Sequence, residues 1–303
     1  MTIAVTGATG FVGRALLDAA AVEGTQLRAL TRKPQVARAG VEWVSGDLAD
    51  KAALARLVAG TRAVIHLAGL TTAKAAAEFE AGNVWGTMAV VEAALASGVP
   101  RFVAVSSLAA REPDISLYGG SKARGERVVR ASGLDWTIVR PPAVYGPRDD
   151  AMFELFRSGR WGVVPVARGG RTSLIHAEDL ARLLLALVPG GEGVTHCTFE
   201  PDDGRRGGWS QDELARAIGW AVGRARVWVP GLTRGMLEWA ARGDMLLRGR
   251  RAKLTLDRAG YMAHPDWTAR EGAAVPPELW CPRIETREGL RGTAEWYRRE
   301  GWF

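Results

Sequence analysis

The sequence predicts an α/β protein, a doubly wound parallel sheet with a smaller carboxy-terminal substrate lobe, and three observations carry that expectation. Apolar runs of strand length alternate with helical patterns from residue 3 to about residue 140. The first run, Ile3-Ala4-Val5, enters a turn with glycines at Gly7, Gly10 and Gly13, and apolar residues at helical spacing follow it. Beyond Pro189 the composition changes, and nine of the twelve tryptophans follow residue 160, which marks a second region. The expected division is 1–190 for the sheet domain, with lobe insertions from about 145–176, and 191–303 mainly for the lobe.

A chain of 303 residues with 47% apolar content can bury a sizeable core. No basic-then-apolar leader precedes the first strand, and apolar stretches such as Leu183 to Val188 are too short to span a bilayer. A cytoplasmic protein without membrane insertion is expected. Cys197 and Cys281 lie far apart, which fits a reducing compartment and suggests neither a disulfide framework nor a zinc site. His66, His176, His196 and His264 are equally scattered, so no metal is expected. The net charge of +7 rests on arginines spread over helical faces and the tail, not gathered in one run, which argues against nucleic acid as a partner.

In chain order, Gly7 permits a tight bend, Gly10 lets the backbone approach an anionic group, and Gly13 lets the following helix pack closely on the strand. The helix, from Phe11 to Ala20, then offers amino-terminal N–H groups to a pyrophosphate. This is the pattern of a Rossmann-like dinucleotide site, with Thr9, Phe11 and Val12 in the same turn. The second strand, Leu27 to Leu30, ends in Thr31-Arg32-Lys33-Pro34. An NAD-type fold places an acid for the ribose 2′-OH there, and none is present. Arg32 and Lys33, with Arg14, suit a 2′-phosphate, so NADP(H) is favoured over NAD(H), a plain surface role for the pair being the alternative.

The third strand, Val41 to Val44, leads into Gly46-Asp47-Leu48. Asp47 can cap the helix that begins near Asp50 or accept from an adenine amino group at the sheet edge, and the two roles can coexist. The fourth strand, from Ala63, ends in Leu67-Ala68-Gly69, whose small last residues suit close approach of a nicotinamide ribose, and His66 reads as a core or turn residue. Asn83 opens the helix Val84 to Ala96 as its N-cap, and Phe102 to Val105 is the fifth strand. That strand ends in Ser106-Ser107. Tyr118 and Lys122 follow, four apart on one face of a helix that continues to Ala131. A phenol that trades a proton near neutral pH needs its pKa lowered, which an ammonium one turn away does, while a serine hydroxyl at a strand end can hold a substrate oxygen. A surface Tyr/Lys pair is the alternative.

Thr6 to Gly13, Gly46-Asp47-Leu48, His66 to Gly69, Asn83, Ser106-Ser107, Tyr118 with Lys122, Arg140 to Pro147 and Ile175 to Leu180 run in order over about residues 1–190. Together they resemble the extended short-chain dehydrogenase/reductase family, in its NAD(P)-dependent epimerase/dehydratase branch. The resemblance implies Tyr118 as catalytic acid/base, Lys122 as the residue that lowers its pKa and binds the nicotinamide ribose, and Ser107 as the group that orients the substrate oxygen, with Ser106 as competitor. It places Pro141, Ala143 and Val144 beside the nicotinamide and makes Tyr145 part of the turn into the substrate region. His176 and Asp179 match a position that more often ties the lobes together than does chemistry. Thr71, Thr72, Trp85 and Trp161 are candidate substrate-wall residues. A homodimer through the helices starting at Asn83 and Tyr118 is also implied.

Departures from the family pattern bear on the substrate. Only ten residues separate Ser107 from Tyr118, a short connection for this branch. Arg171-Thr172-Ser173 precedes Ile175-His176 where sugar-nucleotide enzymes commonly carry an Arg-Asp pair, although Arg168 and Arg171 remain anion candidates. The expectation is therefore an oxidoreductase acting on a relatively apolar alcohol, ketone or aldehyde. A sugar-nucleotide epimerase or dehydratase with tightly bound NAD is one alternative, and a non-catalytic nucleotide sensor or scaffold is another.

In the lobe, Ser210 and Glu213 form a capping box ahead of a helix buried through Leu214, Ala217, Ile218 and Ala221. A strand is expected at Arg226 to Val229. Leu232 to Leu247 reads as a helix whose Met236, Trp239 and Leu246 pack in a core or form a lid, in preference to membrane insertion. Tyr261 to Trp280 reads as ordered loop with a short helix. A final amphipathic helix, from Glu288 to Glu300, buries Leu290, Thr293, Ala294 and Tyr297.

Overall fold

The computed structural model describes residues 2–73, 75–249, 252 and 254–303. The chain forms two compact units, each drawn from three segments. The first takes residues up to Pro141, Leu180–Glu200 and Ala273–Trp280; the second takes Pro142–Asp179, Pro201–Gly272 and Cys281–Phe303. Segments 191–200 and 273–280, expected in the lobe, thus belong to the sheet unit. Cys197 to Phe199 supplies the reason for the first of them, because it pairs as an edge strand with the sheet.

The first unit alternates strands and helices: β1 (Thr2–Thr6), α1 (Phe11–Val22), β2 (Gln26–Thr31), β3 (Val41–Ser45), α2 (Lys51–Val58), β4 (Ala63–His66), α3 (Ala76–Phe79), α4 (Gly86–Ala96), β5 (Arg101–Val105), α5 (Leu117–Arg130) and β6 (Asp135–Val139). The chain continues through β7 (Ala143–Tyr145), α6 (Phe153–Arg160), β8 (Val166–Ala167), β9 (Arg171–Thr172), β10 (Leu174–His176), α7 (Ala177–Ala186) and β11 (Cys197–Phe199). Among the described residues seven strands form one sheet in the order β11-β6-β5-β4-β1-β2-β3, every pair parallel. Parallel neighbours need crossover connections, which are helical here except between β2 and β3, and the helices cover the sheet, which is why its strands read as continuous apolar runs. Ala4, Leu30, Val64, Phe102 and Ile138 of the strands pack with Leu54 and Leu57 of α2 and Val90 of α4 in one buried core. The order reverses between β1 and β4, so their carboxyl ends mark the switch point where such sheets bind ligands.

Two local expectations change. Asp50, not Asp47, caps α2 through a hydrogen bond from the Ala53 N–H. Asp47 accepts from the N–H groups of Ala49 and Asp50 and so closes the turn before the helix. Asn83 is not an N-cap either. It lies inside a π-helical stretch, Glu80–Trp85, that runs directly from α3 into α4.

The second unit is completed by β12 (Trp209–Ser210), α8 (Gln211–Ala221), β13 (Gly231–Leu232), α9 (Arg234–Arg248), α10 (Leu256–Met262), β14 (Asp266–Trp267) and α11 (Thr286–Arg299). Its core joins Tyr145, Phe156, Leu174 and Trp209 to Leu214 and Ile218 of α8 and Leu290 and Tyr297 of α11. The Ser210–Glu213 capping box forms as the sequence predicts. The expected strand at 226–229 reduces to one bridge, Trp228 to Val163. On α9 only Leu237 and Ala241 are buried. Met236, Trp239 and Leu246, expected to pack in a core or to close as a lid, are exposed, because the small core beneath α9 is filled by Ala167, Leu237, Ala241 and Ala259. No helix of the described residues is long and apolar enough to cross a membrane.

Candidate functional site

The glycine turn between β1 and α1 is shaped by close backbone approach. Gly7 has φ +77°, and a Cβ there would sit 2.6 Å from the Ala68 nitrogen. At Gly13 a Cβ would meet the Gly7 carbonyl oxygen at 2.1 Å. Neither position admits a side chain. The N-cap of α1 is Gly10, and no side chain caps that helix, whereas Asp50, Ser116, Ser210 and Thr233 cap α2, α5, α8 and α9. Helix α6 also lacks a side-chain cap, so what sets α1 apart is the glycine turn before it, where first-turn N–H groups can meet a ligand and positive helix-end charge favours an anionic one. This cradle fits the pyrophosphate of a dinucleotide. Around it stand Thr9, Phe11 and Val12 on the turn, and exposed Arg32 and Lys33 just beyond β2. Thr31 stabilises that turn, its hydroxyl donating to the Lys33 carbonyl at 2.7 Å. Arg14 spends its Nε on the Thr9 carbonyl at 3.2 Å.

Behind the turn a buried chain of hydrogen bonds joins β1, β4 and the π-helical stretch. The Ala68 N–H donates to Thr6 Oγ1, and Thr6 Oγ1 lies 2.7 Å from His66 Nδ1. His66 Nε2 lies 3.0 Å from Thr87 Oγ1, whose own proton goes to the Asn83 carbonyl. That assigns the proton of the neutral imidazole to Nε2. Burial first, and the Lys122 charge second, push the His66 pKa down to about 3, so the ring stays neutral and structural. Asn83 in turn exchanges hydrogen bonds with both backbone groups of Leu70 and donates to Ser121 Oγ at 2.8 Å, which donates to the Tyr118 carbonyl. A Cβ on Gly69 would sit 2.9 Å from Asn83 Oδ1 and 3.5 Å from Lys122 Nζ. Gly69, Asn83 and Lys122 therefore converge at the end of β4.

Ser107 and Tyr118 are brought together: their side chains are hydrogen-bonded, across the 3-10 turn Leu108–Arg111 and the start of α5. Lys122, one turn beyond Tyr118, donates to the Val105 carbonyl at 2.8 Å. Desolvation raises the Tyr118 pKa and the Ser107 hydrogen bond lowers it, with a net rise. Burial and the Ser107 hydrogen bond, rather than the lowering expected from Lys122, set the shift, and Tyr118 is held as the neutral phenol. Burial likewise lowers the Lys122 ammonium to about 8, against the opposing pull of Glu126.

The two adjacent serines have different partners. Ser106 donates to Glu126 Oε1 at 2.6 Å. Glu126 also receives Arg140 at 2.8 and 2.7 Å, and the other side of Arg140 faces Glu200 at 3.6 Å, which pairs with Arg111 at 3.0 Å. Burial alone raises the Glu126 carboxyl, but Arg140, Ser106 and Arg130 together hold it below the usual carboxylate range. This network clamps the ends of β5, β6 and β11 and the turn after Ser107. Sequence reasoning missed Glu126, although its spacing from Lys122, again four residues, puts it on the same face of α5 as Tyr118.

The remaining candidates are divided between the two units. Pro141 lies in the first unit, while Val144 lies in the second, on β7 beside Ile175 of β10. Tyr145 is fully buried, hydrogen-bonded to the Thr286 carbonyl and edge-on to His176 at 5.2 Å. Asp179 accepts from the N–H groups of Arg283 and Ile284. Arg171 donates to the Gly207 and Gly208 carbonyls. Thr71, Thr72, Trp85 and Trp161 are exposed, and Leu48 and Leu67 are partly buried. Among the described residues no group of His, Cys, Asp and Glu side chains is placed to hold a metal ion.

A dinucleotide cradle at the switch point, with a Ser, Tyr and Lys set at the end of β5, defines a class of nicotinamide-dependent enzymes. A family model described as NAD(P)H-binding matches residues 7–189. The chain is 38% identical to a ceramide reductase of Caulobacter vibrioides, over 99% of this chain and 95% of that protein. It is 32% identical to a 2-alkyl-3-oxoalkanoate reductase of Stenotrophomonas maltophilia, over 96% and 98%. A UDP-glucuronic acid 4-epimerase of Bacillus cereus solved with NAD shares the fold, with a TM-score of 0.76 and 15% identity over 99% of each chain. The chain belongs to the extended short-chain dehydrogenase/reductase family, and it is an NAD(P)-dependent oxidoreductase.

Proposed function

We propose that the protein is an NADP(H)-dependent reductase that interconverts a ketone and a secondary alcohol on an apolar molecule carrying an alkyl chain. The observation that carries this reading is the Tyr118 hydroxyl, hydrogen-bonded to Ser107 at the end of β5 and held neutral by burial. When bound in the cradle of Gly7, Gly10 and Gly13, a nicotinamide dinucleotide supplies or takes up the hydride. Tyr118 gives its proton to the substrate oxygen during reduction and recovers it during oxidation, and burial keeps the phenol protonated before the donating step. Ser107 shares that oxygen and offsets the charge that develops on it. Lys122 holds a ribose hydroxyl, and Asn83 fixes the loop at Leu70 beside it. Arg32 and Lys33 favour a 2′-phosphate, with no acid at the end of β2 to bind a free 2′-OH.

The alkyl chain is inferred from the 2-alkyl-3-oxoalkanoate reductase, whose name carries one and whose similarity extends over both units of this chain. A homodimer through α4 and α5 is part of the same reading, and light scattering on the purified protein checks it. The reading is tested by nucleotide content and turnover. The expected protein is purified free of nucleotide, binds NADPH more tightly than NADH and oxidises NADPH when a long-chain ketone is added. Retained, non-exchanging NAD with no net NADPH oxidation would assign the protein to the epimerase class instead.

A further inference from the structure

Helix α9 has two apolar faces, and the fold uses one. Leu237 and Ala241 are buried against Ala167 and Ala259. Met236, Trp239, Leu246 and Leu247 are 51%, 74%, 87% and 86% exposed. On an ideal helix these four fall within an arc of about 100°, on the side away from Leu237 and Ala241. Space beside them is open, for nothing lies within 4 Å of where a Cβ would project from Gly235 or Gly243. Trp228, three residues before β13, is 69% exposed, and its N–H donates to the carbonyl of Gly162, next to the exposed Trp161. Clustered exposed apolar side chains of this size mark an interaction surface.

The charge around the helix says what covers it. From Arg234 to Arg258 the sequence carries seven Lys and Arg against three Asp and Glu, a net +4 in a protein of net +7. Arg234 pairs with Glu238 and Arg248 with Asp244, while Arg242 stands exposed. The sequence adds Arg250, Arg251 and Lys253 directly after the helix. Exposed tryptophan, leucine and methionine on one side of a helix, within a stretch of sequence that carries a basic excess, is the composition of a helix that lies in a membrane interface. Two copies of such a basic surface repel each other, which disfavours self-association through it. With 15 residues α9 is too short to span a bilayer.

We propose that α9 docks the protein on an anionic lipid bilayer, in the plane of the interface. Met236, Trp239, Leu246 and Leu247 enter the boundary between headgroups and acyl chains, and Arg242 meets lipid phosphates. The purpose of this docking rests on the proposed function, because an alkyl-chain substrate resides in a membrane; the docking itself does not.

The test is co-sedimentation of the full chain with vesicles of phosphatidylcholine alone or mixed with phosphatidylglycerol, alongside turnover of a water-soluble ketone. The wild type is expected to pellet with the anionic vesicles, to bind the neutral ones at least about tenfold more weakly and to be released by high salt. Substituting Trp239→Ser, Leu246→Ser and Leu247→Ser together should weaken anionic vesicle binding at least about tenfold and leave soluble turnover unchanged. Arg242→Glu should weaken it without touching the apolar face. Wild type that stays in the supernatant, or a triple variant that binds as well as wild type, overturns the proposal. A dimer that the triple variant dissociates overturns it in favour of a second copy. Failure of the reductase reading shows separately, as absent turnover in wild type and variants alike while the wild type still binds anionic vesicles.

Discussion

Both units bury tyrosine hydroxyls and carboxylates, and they use them differently. In the first unit Tyr118 is hydrogen-bonded to a serine hydroxyl, a partner that can both give and receive a proton. In the second unit Tyr145 donates to the Thr286 carbonyl and Tyr297 to the Asp149 carbonyl, partners that only accept. Burial raises all three phenols. The carboxylates divide less cleanly, for Asp202 of the second unit accepts from the Ser173 hydroxyl at 2.7 Å. Asp179 is held by the N–H groups of Arg283 and Ile284, and Asp149 by those of Ala151 and Met152. Glu126 instead reaches Ser106, the neighbour of Ser107. A shifted pKa therefore does not distinguish the phenols of the two units; the kind of partner does.

The largest effect that would break this contrast comes from Tyr118→Phe. It is expected to lower turnover by about 10²–10⁴-fold while NADPH binding, read by fluorescence, is retained. Tyr145→Phe should leave turnover within a few-fold. Glu126→Ala should cost about 3–5 kcal/mol in denaturant unfolding, because Arg140 and Arg130 lose a buried counterion. The sign of the pH dependence follows from the depressed Glu126 pKa: its contribution is present above the unfolded carboxyl value and is lost as pH falls through the folded one.

Asp149 sharpens the contrast from the other side. Burial pushes its carboxyl up to about 7, despite the hydrogen bonds from Ala151 and Met152. The folded protein therefore holds a proton that the unfolded chain has released, and stability should fall as pH rises from the ordinary carboxyl range to about 7. Asp149→Asn should remove that slope, which is worth up to about 4 kcal/mol, in unfolding curves measured across the interval. Replacing Arg32 and Lys33 by serine should reduce NADPH affinity by about 10–100-fold with little change for NADH. Ser210→Ala, which removes only the capping box of α8, should cost about 1 kcal/mol.

The sheet unit was legible in the sequence because each of its signals is local. The glycine turn, the helix-spaced Tyr118 and Lys122 and the buried apolar strands all depend on spacings of a few residues. Glu126 carried the same four-residue spacing, but its meaning depends on Arg140 and Glu200, which the chain brings to it from distant strand ends. Tyr145 read as a substrate-region residue and proved a core residue, since a short apolar strand looks the same in either setting. The apolar residues of α9 show the converse limit. Periodicity reveals an apolar stripe, and the small core of Ala167, Leu237, Ala241 and Ala259 decides which stripe is buried. Asn83 illustrates a third case, where a residue that suits an N-cap is held inside a continuous helix by a π-helical turn and turned toward Leu70.

The most direct test of the account is NADPH oxidation by the purified wild type and Tyr118→Phe with a long-chain ketone presented in micelles. The account predicts ketone-dependent oxidation in the wild type, an alcohol product in equal amount, and loss of both in Tyr118→Phe with NADPH still bound. Equal turnover by the two proteins, or a wild type that binds NADPH and leaves every ketone unreduced, would contradict it.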